Sequence, residues 1–288
     1  MKKLISIFIF FLSLTVTGQL DKNEIRDKAF SFYIDNKYDS AVVYYKQVIE
    51  LTDENRTTYY YRQLGDCFIK LNDYKKAKES YLKCITDTSN NRVFSSNRDC
   101  YQGLIDIYIE EKNYNEALKY LRLADSKYPH IGICSNGELE QDLRLNYKYS
   151  QCFKELDQID SAIAYLTPYV FVEPENLLMD SLEYMKINTH YIDLLNQRYN
   201  EIEIKKEISS AIENIYYKKE IDIERNKKYP NEEFYNVLCY ITFLGQSITL
   251  VDGGYEANSW GGEPVEQYTE EFLINYFKNT PTFQILTK

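Results

Sequence analysis

The chain has 288 residues, of which 44% are hydrophobic and 27% charged, enough for one or two domains with a sizeable core. Its formal charge is −10 and its pI about 5.0, a balance that argues against a phosphate-binding surface and hence against nucleic acid. Gly (10) and Pro (6) are scarce while Tyr (29) is abundant, which suits a mostly helical protein.

At the N-terminus, Lys2 and Lys3 precede an uncharged stretch, residues 4–16, followed by the short residues Thr17 and Gly18. A charged start, an apolar run and a small-residue end are the order of a secretory signal peptide. The expected signal is residues 1–18, with Gln19 first in the mature chain. The run is shorter than the roughly 20 residues of a membrane span, so an uncleaved anchor is the weaker alternative. Loss of Lys2 and Lys3 leaves 32 basic residues against 44 acidic, a net −12. An exported protein without a stable membrane span is expected, in the periplasm, at the cell surface or secreted.

From residue 22 onward one pattern recurs around Ala41, Ala77, Ala117 and Ala162. Three residues before each Ala stand Tyr38, Tyr74, Tyr114 and Ile159; nine before stand Phe32, Phe68, Tyr108 and Phe153. Tyr45, Tyr81, Leu121 and Leu166 follow at four, and Val48, Cys84, Ala124 and Tyr169 at seven. Apolar residues at three- and four-residue spacing mark one face of a helix. The predicted hairpins cover 22–51, 57–86, 98–127 and 139–172, with polar turns at 35–37, 71–73, 111–113 and 155–158. Asp39-Ser40 and Asp160-Ser161 suit helix starts. A period of this size marks stacked helical hairpins, none able to bury its apolar face alone.

The pattern resembles the tetratricopeptide repeat, a 34-residue helix–turn–helix unit. The second unit matches best, through Tyr61, Leu64-Gly65, Phe68, Tyr74, Ala77 and Tyr81. Gly65, Ala29 and Ser150 occupy the close-crossing place twelve before the Ala, whereas Ile105 departs there and Lys28 stands where Leu64 and Leu104 do. The Ala anchors are 36, 40 and 45 residues apart, implying longer connections at 90–97 and 129–137. The resemblance implies an all-α fold, a right-handed α-solenoid of helix hairpins with a C-terminal helical cap. Four pairs fill 19–175, a degenerate fifth pair 176–229, and the cap 230–288. The Lys-, Asn-, Ile- and Tyr-rich composition with this signal also resembles proteins of Gram-negative, Bacteroidetes-like bacteria.

Beyond Pro174 the period fades, and 177–196 and 202–227 read as two longer helices. Residues 230–233 form a good helix start, and 234–244 keep helical spacing. Tyr235, Val237, Cys239, Ile241 and Phe243 also alternate as a strand would; the helix is the preferred reading. Asp252-Gly253-Gly254 reads as a tight turn, and 265–278 as a helix.

No catalytic constellation, phosphate loop or metal-ligand spacing stands out, so a non-enzymatic protein without cofactor or metal is expected. His130 and His190 read as surface or structural residues. The six Cys read mostly as small hydrophobes in helical patterns, with Cys134 the most exposed and no pairing assignable. If the first helix of each pair lines a groove, as the resemblance implies, its groove residues are Arg26, Phe30 and Tyr33; Tyr59, Arg62, Asp66 and Ile69; Gln102, Asp106 and Ile109; and Tyr147, Gln151 and Lys154. Rings, amides and both charge signs suit an extended peptide or protein partner. Some members of the family clamp a partner's C-terminal carboxylate with Lys and Asn, but the acidic residues here would repel one. Trp260, in the Gly-rich loop, is a second candidate contact. The expected function is a binding scaffold. The rivals are a structural subunit of an envelope assembly, using the outer face and the cap, and an enzyme with its site in 229–288.

Overall fold

The computed structural model describes residues 21–52, 57–86, 94–127, 135–172, 179–229, 234–256 and 268–288. The expected signal segment, His130, Cys134, Pro174 and Trp260 lie outside them. The chain divides into two compact units, Met1–Tyr128 and Pro129–Lys288.

The first unit holds three hairpins: α1 (Lys22–Ile34) with α2 (Tyr38–Glu50), α3 (Thr58–Lys70) with α4 (Tyr74–Thr86), and α5 (Phe94–Glu110) with α6 (Tyr114–Lys127). Each second helix packs on its own partner and, for α2 and α4, on the first helix of the next pair. Ala41, Ala77 and Ala117 are wholly buried, and Tyr45, Tyr81 and Leu121 nearly so. Helix α5 begins earlier than the expected 98, so part of the extra length between repeats is helix rather than connection.

A backbone device repeats at every turn. Asn36, Asn72, Lys112 and, in the second unit, Asp157 have φ between 57° and 59°, each five residues before its Ala. The next residue's N–H reaches back to the carbonyl of the recurring ring: Lys37 to Phe32, Asp73 to Phe68, Asn113 to Tyr108 and Gln158 to Phe153, at 2.8–2.9 Å. This pairing closes a helix with one left-handed residue. Asn and Asp adopt that conformation at little cost, whereas Lys112 has no such local help. The following helix starts at Tyr38 or Ile159, so Asp39 and Asp160 sit within the first turn, where the helix dipole favours them.

Two glycines fix the crossing of the second and third hairpins. A Cβ on Gly65 would collide with one edge of the Tyr81 ring, and a Cβ on Gly103 with the other. Cys84 and Cys100 form a disulfide between α4 and α5, Cα atoms 6.3 Å apart, so the reading of Cys84 as a plain hydrophobe is corrected. Its packed slot faces the start of the next hairpin, where Cys100 lies. Cys67, Cys152 and Cys239 are buried free thiols.

The second unit opens with α7 (Ser135–Glu155) and α8 (Ile159–Val170), followed by α9 (Ser181–Arg198) and α10 (Glu201–Glu213). A reciprocal capping box of Asn200 and Glu203 starts α10. The expected long helix over 202–227 stops here. Residues Tyr216–Ile221 form β1, and the short α11 (Ile223–Lys228) follows, capped by Asp222. Strands β2 (Phe234–Phe243) and β3 (Gln246–Glu256) complete a three-stranded antiparallel sheet in the order β1-β2-β3.

The preferred helical reading of 234–244 is therefore corrected. Alternation prevails because Val237, Cys239, Ile241 and Phe243 all go into the core on one face of β2. Leu244 and Gly245, both with positive φ, make the two-residue hairpin turn. Asp252-Gly253-Gly254 is strand, not turn: Val237 pairs with Gly253 and Asn236 with Gly254. Helices α12 (Glu270–Asn279), capped by Thr269, and α13 (Pro281–Leu286) end the chain. Phe171, after α8, meets the rings of Tyr191, Phe243 and Phe277 at 6.3, 5.5 and 5.0 Å and so joins sheet and last helices to the hairpins. Thr282 donates to the Val170 carbonyl at 2.6 Å, as Tyr184 does at 3.0 Å, closing the open end of α8. The expected solenoid of helix hairpins is thus the fold, and its cap carries a sheet beside two helices.

Candidate functional site

The candidate groove residues fall into two groups, one in each unit. In the first unit, Tyr59, Arg62 and Asp66 lie one turn apart on one face of α3, and the structure brings them together with groups the spacing had not singled out. The Arg62 guanidinium lies over the Tyr59 ring, 5.8 Å from its centre, while Gln63 donates to the Tyr59 hydroxyl at 3.0 Å. Arg62 Nη1 stands 3.4 Å from Asp66 and 3.3 Å from Asp99 on α5. Both separations exceed the 2.7–2.9 Å or so of a charge-assisted hydrogen bond. The Nε–H of Arg62 is buried without a partner.

Asp66 is held from below, accepting a 2.7 Å hydrogen bond from the Tyr81 hydroxyl. Burial raises its carboxyl above the ordinary range, and the Tyr81 bond and Arg62 oppose that rise. Burial also raises the Tyr81 phenol, with Asp66 adding to it and Arg62 opposing. The Tyr33 phenol, on α1, is raised by burial and then by Asp66, so it shares the same electrostatic neighbourhood. The charge of Asp106, on α5, adds weakly to the rise of the Tyr81 phenol. The first helices of the second and third hairpins thus meet in one polar and aromatic cluster, and its charges are felt at Tyr33 on the first.

The other candidates in this unit make no ion pair with Arg62. Arg26 pairs with its neighbour Asp27 at 2.9 Å. Phe30 is half exposed, while Ile69, Gln102 and Ile109 are partly buried on their helices. Asp99 and Tyr81 went unselected, although Asp99 was within reach of sequence reasoning. Asp99 is 40 residues after Tyr59, the same interval as from Ala77 to Ala117, and so occupies the same repeat position. Tyr81, four residues after Ala77, falls on the apolar face of its helix, where spacing alone does not show that its hydroxyl reaches Asp66.

In the second unit, Tyr147 meets the His190 ring edge-on at 5.2 Å, and Ser150 Oγ lies 3.1 Å from His190 Nε2. Gln151 and Lys154 are partly buried beside them on α7. Burial lowers His190 to about 4, with Lys154 adding to the effect. Ser150 is fully buried, so this contact joins α7 to α9 rather than presenting a nucleophile. Within 229–288, Val237, Cys239, Val251 and Leu273 form a core cluster, and burial pushes the Cys239 thiol up to about 11. Among the described residues no group of His, Cys, Asp and Glu could hold a metal ion, and no helix is long and apolar enough to cross a membrane.

Solved structures similar to this chain include the MamA RS-1 ArsTM double mutant, 14% identical over 67% of this chain and 93% of that one, with a TM-score of 0.49. A second mutant of MamA is 17% identical over 61% of this chain and 87% of that one, at 0.41. The TPR2AB domain of yeast Sti1 in its complex with pHSP90 is 16% identical, over 68% and 75%, at 0.25. Among curated proteins, none matches. The tetratricopeptide repeat family model matches residues 58–86, the α3–α4 hairpin that carries Arg62, Asp66 and Tyr81.

Proposed function

We propose that the protein is an exported, non-enzymatic scaffold that holds a peptide or protein partner against the first-helix face of its first unit. One observation carries this reading: side chains from α3 and α5 converge on Arg62, within the electrostatic reach of Tyr33 on α1, with a guanidinium whose donors are incompletely used. A buried unpaired donor is costly, and a partner's acceptor groups relieve it. Export is supported by the charged and apolar start of the sequence and by the Cys84–Cys100 disulfide, a bond that persists in oxidising compartments.

The test uses the mature chain and its Tyr59→Ala/Arg62→Glu variant as baits in envelope extract. A partner captured by the first and lost by the second, with both equally folded, supports groove binding. Equal capture by both would move the contact to the outer face or cap, the mode of an assembly subunit.

A further inference from the structure

The cluster around Arg62 also specifies the kind of partner. Asp66 and Asp99 flank the Arg62 guanidinium, and at longer range the charge of Asp106 is felt at Tyr81 and that of Lys70 at Asp66, so carboxylates outnumber cations by three to two. Asp99 is about half exposed, so that charge faces outward. A free carboxylate approaching this face meets net repulsion, whereas a cation is attracted.

A second observation is independent of the acids. Tyr45 is 1% exposed, and its hydroxyl has no hydrogen-bond partner. Its repeat equivalent, Tyr81, finds an acceptor fifteen residues earlier, at Asp66. Fifteen residues before Tyr45 stands Phe30, which accepts nothing and is 51% exposed. The Tyr45 hydroxyl therefore points towards the same first-helix face, and the groups that reach it electrostatically include Tyr59, Tyr33 and Arg62. Two unused donors, Arg62 Nε–H and Tyr45 O–H, thus lie beneath an acidic rim that also presents the Tyr59 ring, with Phe30 exposed at the equivalent place one repeat earlier.

We infer, resting on the groove-binding reading above, that the first unit takes an extended peptide segment bearing Lys or Arg side chains. The partner's cation shares Asp66 and Asp99 with Arg62, loosening a pair already held at 3.3–3.4 Å. The freed guanidinium then donates to a main-chain carbonyl, an acceptor that an extended peptide offers at every residue. Tyr59, exposed beside Arg62, supplies apolar contact for the intervening side chains, and Phe30 offers a second exposed ring on α1.

The probes are ten-residue peptides of alternating Arg and Leu, acetylated and amidated so that no terminal charge remains, with matched Glu–Leu and Gln–Leu peptides. Fluorescence anisotropy with the mature chain is expected to show Arg–Leu binding at least tenfold tighter than either control. Asp99→Asn should weaken that binding about fivefold or more, raising salt should weaken it further, and Glu116→Gln on α6 should leave it unchanged. Circular dichroism confirms that each variant is folded. Equal or tighter binding of Glu–Leu, or indifference to Asp99→Asn, would overturn the inference. If the Tyr59→Ala/Arg62→Glu variant still loses the envelope partner while Arg–Leu fails to bind, groove binding stands and the cationic class falls. If partner capture also survives that variant, both fall.

Discussion

The hydroxyl of Tyr81 donates to Asp66 at 2.7 Å, linking the buried core of the second hairpin to the charged face of its first helix. The ring carrying that hydroxyl has Gly65 on one edge and Gly103 on the other, so it has no room to shift. Gly65→Ala gains about 1 kcal/mol of helix propensity but forces a methyl into the ring. Overpacking of this kind costs about 1–3 kcal/mol, so a net loss of stability is expected by urea unfolding. In a Tyr81→Leu background the same change should be neutral or stabilising. A stabilising Gly65→Ala in the wild-type chain would show that the ring is not confined.

Of the four left-handed residues at the turns between paired helices, Lys112 alone is neither Asn nor Asp. Lys112→Gly should raise stability by about 0.5–1 kcal/mol by relieving its Cβ. Asn72→Gly, at the equivalent turn, should change stability less. Thermal midpoints of the two variants measured together decide the matter.

The Cys84–Cys100 bond closes a loop with a sequence separation of 16. A loop of this length is worth about 3 kcal/mol. Cys84→Ser/Cys100→Ser should lose about that much, and dithiothreitol should lower the wild-type chain to the same midpoint while leaving the double variant unaffected. A wild-type midpoint insensitive to reductant would count against the bond.

His190 titrates at about 4 in the folded chain against an ordinary 6.5, because burial disfavours its charged form. The unfolded state therefore binds the proton first, and stability falls as pH drops from about 6.5 towards 4. The loss should be on the order of 3 kcal/mol across that window, and His190→Gln should flatten it. Denaturant midpoints of both proteins at pH 4.5 and 7 test this.

The hairpins were legible because their signal is local: Ala41, Ala77, Ala117 and Ala162 each sit in a helical frame that the next few residues complete. The sheet was not, because Phe234–Phe243 satisfies helical and strand spacing alike, and only pairing with Tyr216–Ile221 and Gln246–Glu256 decides between them. The disulfide was hidden for a related reason, since Cys84 fits a core slot whether or not Cys100 faces it. In the candidate site, Arg62 and Asp66 were visible from their one-turn spacing. Their ties to Asp99 and Tyr81 cross between helices, as does the contact of Ser150 with His190, and no local pattern reports such contacts.

The central claim is that partners meet the first-helix face of the first unit. Photo-crosslinking tests it most directly, with benzoylphenylalanine at Gln102 on α5 and, separately, at Lys119 on the exposed side of α6. The account predicts a partner crosslinked from Gln102 and not from Lys119. A crosslink from Lys119 with none from Gln102 would contradict it.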